Sequence, residues 1–212
     1  MIEAELKARL ADPDAVRTAL AQRAKVEKAI YRDTYYDTET ADLDRTGREL
    51  RLRTVETADA TRHLLTFKEP AVDASGSKPE YETAVATPAA VAHMVEALGY
   101  GPVIEFTKDC ENYPFSDGGR EFLATVVRVP EIDGTFLEVE TMAAEDQIDA
   151  ALAAVRAVLV QLDISAADLT TDLYTDAVRA ARAGSRDPRA RYPSASSDGV
   201  VTRAGGGGRD GQ

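Results

Sequence analysis

Apolar and polar residues alternate with period two through most of the chain up to about position 141. In the opening ten residues Ile2, Ala4, Leu6, Ala8 and Leu10 share one face, while Glu3, Glu5, Lys7 and Arg9 share the other. That is the pattern of a strand with one side in a core. It recurs over 30–37, 48–55, 62–69, 79–86, 103–113, 120–130 and 134–141, predicting eight short strands. Eight is the number at which an antiparallel barrel closes around a small ligand. Asp117-Gly118-Gly119 separates two of these strands as a hairpin turn.

Helical spacing interrupts the series. Asp12-Pro13 sets a capping residue before a proline at the first helical position and predicts a helix to about Arg23. Thr87-Pro88 repeats the device, with an end at Gly99 after Leu98. Residues 144–162 carry Ile148, Leu152, Val155, Leu159 and Leu162 at helical intervals, and Ser165 is placed to cap a last helix reaching Ala183. The fold class is therefore α+β, an eight-stranded antiparallel barrel or tunnel with helices packed outside. The 148–162 helix serves most simply as a cover for the barrel, with one side available to a second copy in a homodimer.

Composition divides the chain. Residues 1–184 form the expected domain. From Ser185 the sequence turns to Gly, Ser, Arg and Pro with no apolar period, and six of the 14 glycines fall in 185–212, so a disordered tail is expected there. The Gly205–Gly208 run lacks the preceding strand and following Lys of a phosphate loop.

Charge narrows the function classes. The 212 residues hold 25 Lys+Arg against 37 Asp+Glu, a net charge of -12. Such a balance argues against nucleic acid as a partner, yet leaves room for a local basic pocket that binds a small anion. The lone Cys110 excludes an internal disulfide framework and a cysteine-rich zinc site. The first residues alternate charge instead of forming an apolar leader, and no run is long enough to span a membrane. A cytoplasmic protein without a membrane partner is the expectation.

The polar strand faces carry the chemistry. Glu3 and Glu5, two apart, project to one side at roughly 7 Å, with Lys7 following. Glu80 and Glu82 in PEYET and Glu138 and Glu140 in FLEVET repeat the carboxylate pair. Arg51 and Arg53 form a basic pair in ELRLRT, joined by Lys68 in LTFKEP and Lys108 in EFTKDC. Taken singly, each pair is an ordinary solvated sheet face. Turned together into a closed sheet, the carboxylates suit Mg²⁺ or Mn²⁺ and the cations suit phosphate oxygens.

In the order EAELK, YYDT, ELRLR, LTFKEP, PEYET and FLEVET, the chain resembles the CYTH superfamily, the group of class IV adenylate cyclases, thiamine triphosphatases and bacterial inorganic triphosphatases. The likeness runs over about residues 1–175, and YRDTYYDT and DLYTDAV bring it nearest in style to the short cyclase-like members. It implies an antiparallel tunnel that binds a triphosphate with a divalent metal. Carried over by position, the resemblance makes Glu3, Glu5, Glu138 and Glu140 metal-binding, and Lys7, Arg51, Arg53, Lys68 and Lys108 phosphate-binding. Lys7, Arg51, Arg53 and Lys68 would also act in catalysis, and Glu80 and Glu82 would be supporting acids.

Two positions depart from the family pattern. Lys108-Asp109-Cys110 stands where K-x-R is usual, which removes one phosphate-binding arginine. Arg128 stands where an aspartate usually precedes the last E-x-E by ten residues. That exchange sets a basic residue on the metal side, where it replaces the lost arginine or limits the site to one tightly held ion, unless a shifted register brings in Glu131 or Asp133.

Other candidates carry less. Tyr35 and Tyr36 are placed for base stacking or simple sheet packing. His63 and His93 have no partner at metal-ligand spacing, and Cys110 has no nearby His to activate it. Three functions remain open: a cyclase turning ATP into cyclic AMP and pyrophosphate, an organic or inorganic triphosphatase (a specialised biosynthetic role included), and a non-catalytic nucleotide or polyphosphate binder. Because 185–212 has no apolar surface to bury, its deletion is expected to leave the melting temperature unchanged in a thermal scan. A drop of several degrees would place the tail against the body.

Overall fold

A computed structural model describes residues 2–74 and 76–185. The strands are β1 (Ile2–Arg9), β2 (Glu27–Asp37), β3 (Glu49–Thr57), β4 (Thr61–Lys68), β5 (Lys78–Ala84), β6 (Gly101–Asp117), β7 (Arg120–Arg128) and β8 (Phe136–Ala143). They close into an antiparallel barrel in the order β1-β5-β4-β3-β2-β6-β7-β8. The eight expected strands are all present, with β2 and β6 longer than their alternation indicated. At the β6–β7 hairpin Asp117 pairs with Arg120, and Gly118 and Gly119 both take positive φ, at 57° and 79°. Two left-handed residues in succession match the right-handed twist of the strands they join.

Four helices accompany the barrel: α1 (Pro13–Ala21), α2 (Pro88–Ala97), α3 (Ile148–Gln161) and α4 (Tyr174–Ser185). Asp12 caps α1 as its sequence predicts, its side chain accepting from the Ala15 N–H at 3.1 Å. No helix among the described residues is long and apolar enough to cross a membrane.

One expectation about the helices is overturned. Ser165 caps a single 3₁₀ turn, Ala166–Asp168, through a reciprocal bond with the Asp168 carboxylate, and α4 begins only at Tyr174. The reason lies on β1, whose register with β5 covers only Ile2 and Glu3. The backbone groups further along that edge need partners. Leu169 bridges to Ala8, and the Thr170 N–H donates to the Lys7 carbonyl at 2.9 Å. The segment stays extended because it completes that edge. The expected tail, 185–212, lies outside the described residues except for Ser185, which ends α4.

Along β1, β7 and β8 the outward face of the barrel is apolar and buried. Ile2, Ala4, Leu6 and Ala8 on β1, Ala124 and Val126 on β7, and Leu137 and Val139 on β8 face outward and are buried. Leu152, Val155 and Leu159 of α3, with Val16 and Leu20 of α1, cover them in one continuous core. A second cluster, which includes Phe106, Cys110, Val127, Phe136, Tyr174 and Val178, seats α4 on the barrel. Leu137 has no exposed surface in the larger core, so Leu137→Ala is expected to cost about 2–5 kcal/mol. Urea titration reads it as a lower midpoint with an unchanged slope.

Candidate functional site

Strand alternation that sends the apolar residues outward sends every polar pair named above into one cavity of about 370 Å³. Glu3, Glu5, Lys7, Arg51, Arg53, Lys68, Glu80, Glu82, Lys108, Glu138 and Glu140 all line it. They come from β1, β3, β4, β5, β6 and β8, so only a closed sheet brings them together.

The acidic side is the most strained electrostatically. Carboxylate oxygens of Glu3, Glu5 and Glu140 lie within 4.8 Å of one another, and Glu5 and Glu140 are directly opposed across the β1–β8 ladder. Burial, with the charges of Glu138 and Glu3 added, pushes Glu5 up to about 8. Burial and the same neighbours push Glu140 well up too. Burial also works against ionised Glu3, yet the Lys68 ammonium outweighs it and holds that carboxyl down at about 2. Lys68 pairs with Glu3 and, at 2.7 Å, with Glu80. The uncompensated acids are therefore Glu5 and Glu140, whose two charges match one divalent ion. Three hard oxygen donors this close fit Mg²⁺ or Mn²⁺. Glu138 stands outside this trio and opposes Lys7 in register.

The basic side is partly neutralised by a residue the sequence reading missed. Asp33 on β2 is 1% exposed and accepts Arg53 Nε at 2.6 Å and Arg53 Nη2 at 2.7 Å, with Lys108 Nζ 3.9 Å away. Burial opposes its charge, but Arg53, Arg51 and Lys108 hold the carboxyl far below its usual range. Arg53 also lies over the Tyr31 ring at 4.5 Å. Its Nη1 faces no partner in this fork. Arg51 differs: its Nη2 donates to Thr66 Oγ1 at 3.3 Å, and Thr66 donates to Glu82 at 3.0 Å. Arg51 Nε is buried without a hydrogen bond, and no carboxylate among the described residues ion-pairs with this guanidinium. The Asp33 and Glu80 charges favour the guanidinium from a distance, yet the buried Nε–H stays costly until an acceptor meets it.

Tyr174 is the second residue the sequence reading passed over. Its ring lies 4.5 Å from Lys7 Nζ and 4.4 Å from Lys108 Nζ, and Lys7 also donates to the Asp172 carbonyl. Asp33 sits on the inward face of β2 between Tyr31 and Tyr35, a parity visible in the sequence. Tyr174 had no such signal, because an irregular stretch delivers it.

Several expectations need correction. Arg128 is exposed at the end of β7, opposite the exposed Asp109, and so neither approaches the acidic trio nor replaces an arginine. The inward residues of β7 are Leu123 and Thr125. Glu131 and Asp133 are exposed, and Glu131 pairs with Arg182 at 2.6 Å, so neither substitutes at the metal side. Cys110 does share the Lys108 face, but burial pushes its thiol up to about 12, the opposite of nucleophilic activation. His63 bonds Thr54 at 2.9 Å on the outer face and His93 is exposed beside Glu96. Tyr35 lines the cavity, stacked on Phe106 at 5.8 Å, whereas Tyr36 does not line it.

The sequence-family model for the CYTH domain matches residues 1–174. No curated protein matches the chain in sequence. Among solved structures, the PH1819 protein of Pyrococcus horikoshii is 24% identical, with a TM-score of 0.71 over 81% of this chain and 95% of its own. A candidate adenylate cyclase from Vibrio parahaemolyticus is 25% identical, with a TM-score of 0.71 over 84% of this chain and 98% of that one. A candidate adenylyl cyclase from Hippeastrum with a dominant triphosphatase activity shares the fold at 17% identity and a TM-score of 0.60, over 85% and 96%.

The acidic side makes pH a direct probe. Glu5 titrates near 8 in the folded chain against an ordinary 4.5. Between those values the folded state keeps a proton that the unfolded state has lost, so stability falls as pH rises through the window. Melting temperature without added metal is expected to decline from pH 5 to 8, and Glu5→Gln to flatten the decline. Mg²⁺ should restore more at pH 8 than at pH 6. A wild-type profile that rises over this range would separate Glu5 from the other carboxylates.

Proposed function

Since the chain belongs to the CYTH domain family, we propose that it is a divalent-metal-dependent enzyme acting on a triphosphate-bearing substrate in the manner of a class IV adenylate cyclase. The observation that carries this reading is Arg51, a buried guanidinium with an unpartnered Nε and no carboxylate among the described residues within ion-pair distance, facing an acidic trio across one cavity. A phosphate chain with its metal is the ligand that satisfies both sides at once.

In this reading Glu3, Glu5 and Glu140 hold Mg²⁺ or Mn²⁺, with Glu138 and the supporting acids Glu80 and Glu82 beside them. The ion supplies Lewis-acid polarisation and charge neutralisation. Arg51 gives its free Nε–H to a phosphate oxygen. Arg53, its other edge held by Asp33, presents Nη1 in a fixed plane. Lys7, Lys68 and Lys108 add point charges that stabilise negative charge as it moves onto the leaving phosphate. In the cyclase reaction the ribose 3′-hydroxyl loses its proton to solvent as its oxygen bonds to the α-phosphorus, the bond to the bridging oxygen breaks, and pyrophosphate leaves.

A second reading, triphosphate hydrolysis by water at the terminal phosphorus, is favoured by the engagement of the lining tyrosines. Tyr35 is stacked on Phe106 and Tyr31 lies under Arg53, so these rings serve the phosphate end of the cavity. The Hippeastrum protein's triphosphatase activity makes the same comparison worth testing. In either reaction the partner is a small phosphorylated molecule.

Incubation of ATP, GTP, thiamine triphosphate and tripolyphosphate with Mg²⁺ or Mn²⁺, followed by phosphorus NMR, separates the readings. Cyclic AMP with pyrophosphate supports the cyclase, orthophosphate supports the hydrolase, and EDTA is expected to stop both. Thermal stabilisation by these ligands without turnover would instead identify a binder. Arg51→Ala is expected to weaken triphosphate binding by about 1.5–3 kcal/mol, the scale of a charged hydrogen bond, with the fold intact by circular dichroism. Undiminished binding would remove the phosphate side of the proposal.

A further inference from the structure

Lys7 and Lys108 reach the cavity from β1 and β6, strands separated in the barrel by β7 and β8. No ladder contact fixes one lysine relative to the other. What they share is Tyr174, with each ammonium nitrogen within 4.5 Å of the ring centroid. Two like charges in a poorly solvated cavity repel, and the negative face of an aromatic ring is a surface that attracts both. The ring itself is firmly placed. Phe136 meets it edge-on, with centroids 5.3 Å apart and planes at 81°. Val178, one turn along α4, is wholly buried, and the Thr170 N–H ties the approach to the Lys7 carbonyl. The buried Tyr174 hydroxyl has the Glu138 carboxylate as its neighbour, and the packing of Phe136 and Val178 about the ring sets the ring's position.

We infer that Tyr174 is a positioning residue whose ring holds the Lys7 and Lys108 ammonium groups at a fixed spacing for a phosphate chain. This rests on the phosphate-binding role proposed for the two lysines. Helix α4 thereby sets the geometry of the cavity while contributing no charge to it. The strap from Leu169 to Leu173 delivers the ring, which explains why an extended segment, and not a longer helix, precedes α4.

A series of ring substitutions tests this, because fluorine drains the ring's negative face while changing its volume little. Position 174 is set to Leu, to Phe, and to phenylalanine with one, two or three ring fluorines. Each variant is titrated with the non-hydrolysable imido analogue of tripolyphosphate in the presence of Mg²⁺. Tyr174→Leu is expected to lose affinity roughly ten-fold, the scale of desolvated cation–π contacts, and Tyr174→Phe to recover it. Affinity should then fall stepwise with each fluorine at constant melting temperature. A flat fluorine series with normal wild-type binding would make the ring simple packing and overturn the inference while leaving the phosphate reading intact. If the wild type fails to bind, the phosphate reading falls, and proton NMR of the lysine ε-methylenes still decides the contact. Ring-current shifts lost in Tyr174→Leu support it, and unshifted resonances overturn it.

Discussion

Lys68, held between Glu3 and Glu80, is the contact on which the polar interior depends. The narrow β1–β5 seam closes the barrel with a register of only two residues, too few backbone bonds to bind two edges firmly. Lys68 on β4 reaches past that weak join to Glu3 on β1 and also holds Glu80 on β5. One ammonium thereby ties three strands together from inside. Without it Glu3 would join Glu5 and Glu140 as a third uncompensated acid within 4.8 Å, and like charges packed that closely would push the seam apart. The acidic trio remains compact because one of its members is neutralised from outside the trio.

This arrangement inverts the usual economy of a small domain. Charged groups taken from water carry a desolvation cost that their mutual attraction rarely exceeds, so the barrel interior contributes little net stability. The favourable burial lies outside the sheet, where α1 and α3 cover Leu6, Val126, Leu137 and Val139. Stability and chemistry are thus assigned to opposite faces of the same strands. A mutation to an outward residue of β1 acts on folding and one to Glu5 or Lys7 acts on ligands, whereas inward Phe106, Cys110 and Phe136 pack against α4 and serve the fold.

That division is also why so much was legible in the sequence. Period-two alternation fixes which residues share a face, and the chemistry of Glu3, Glu5 and Lys7 against Ile2, Ala4 and Leu6 distinguishes the two faces. Strand number, the glycine turn and the gathering of charged pairs into one cavity all follow from that parity. Parity fails where the chain leaves the ladder. Arg128 was placed by counting ten residues back from Glu138, but the β7–β8 connection intervenes, and register on β7 turns the residue to solvent. Tyr174 arrives from an extended strap whose conformation is dictated by a bare edge of β1, a tertiary need that no local pattern around Ser165 records. Asp33 had the right parity, yet a lone aspartate among tyrosines carries no signal until its arginine is seen across the strand.

The cysteine at position 110 can be understood from the same geometry. An arginine there, two residues beyond Lys108 on the inward face, would project among Phe106, Val127, Phe136, Tyr174 and Val178. Among these only the Tyr174 hydroxyl can accept a hydrogen bond. Although the Asp33 and Glu138 charges reach position 110, Asp33 is already held in the Arg53 fork, so a guanidinium would compete with the ring for this space. A small thiol fits that space and allows α4 to seat. With α4 seated, Tyr174 reaches Lys7 and Lys108. The lost cation and the aromatic ring are therefore two sides of one packing solution: the chain gives up a charge at position 110 and gains a fixed placement for the two lysines that remain.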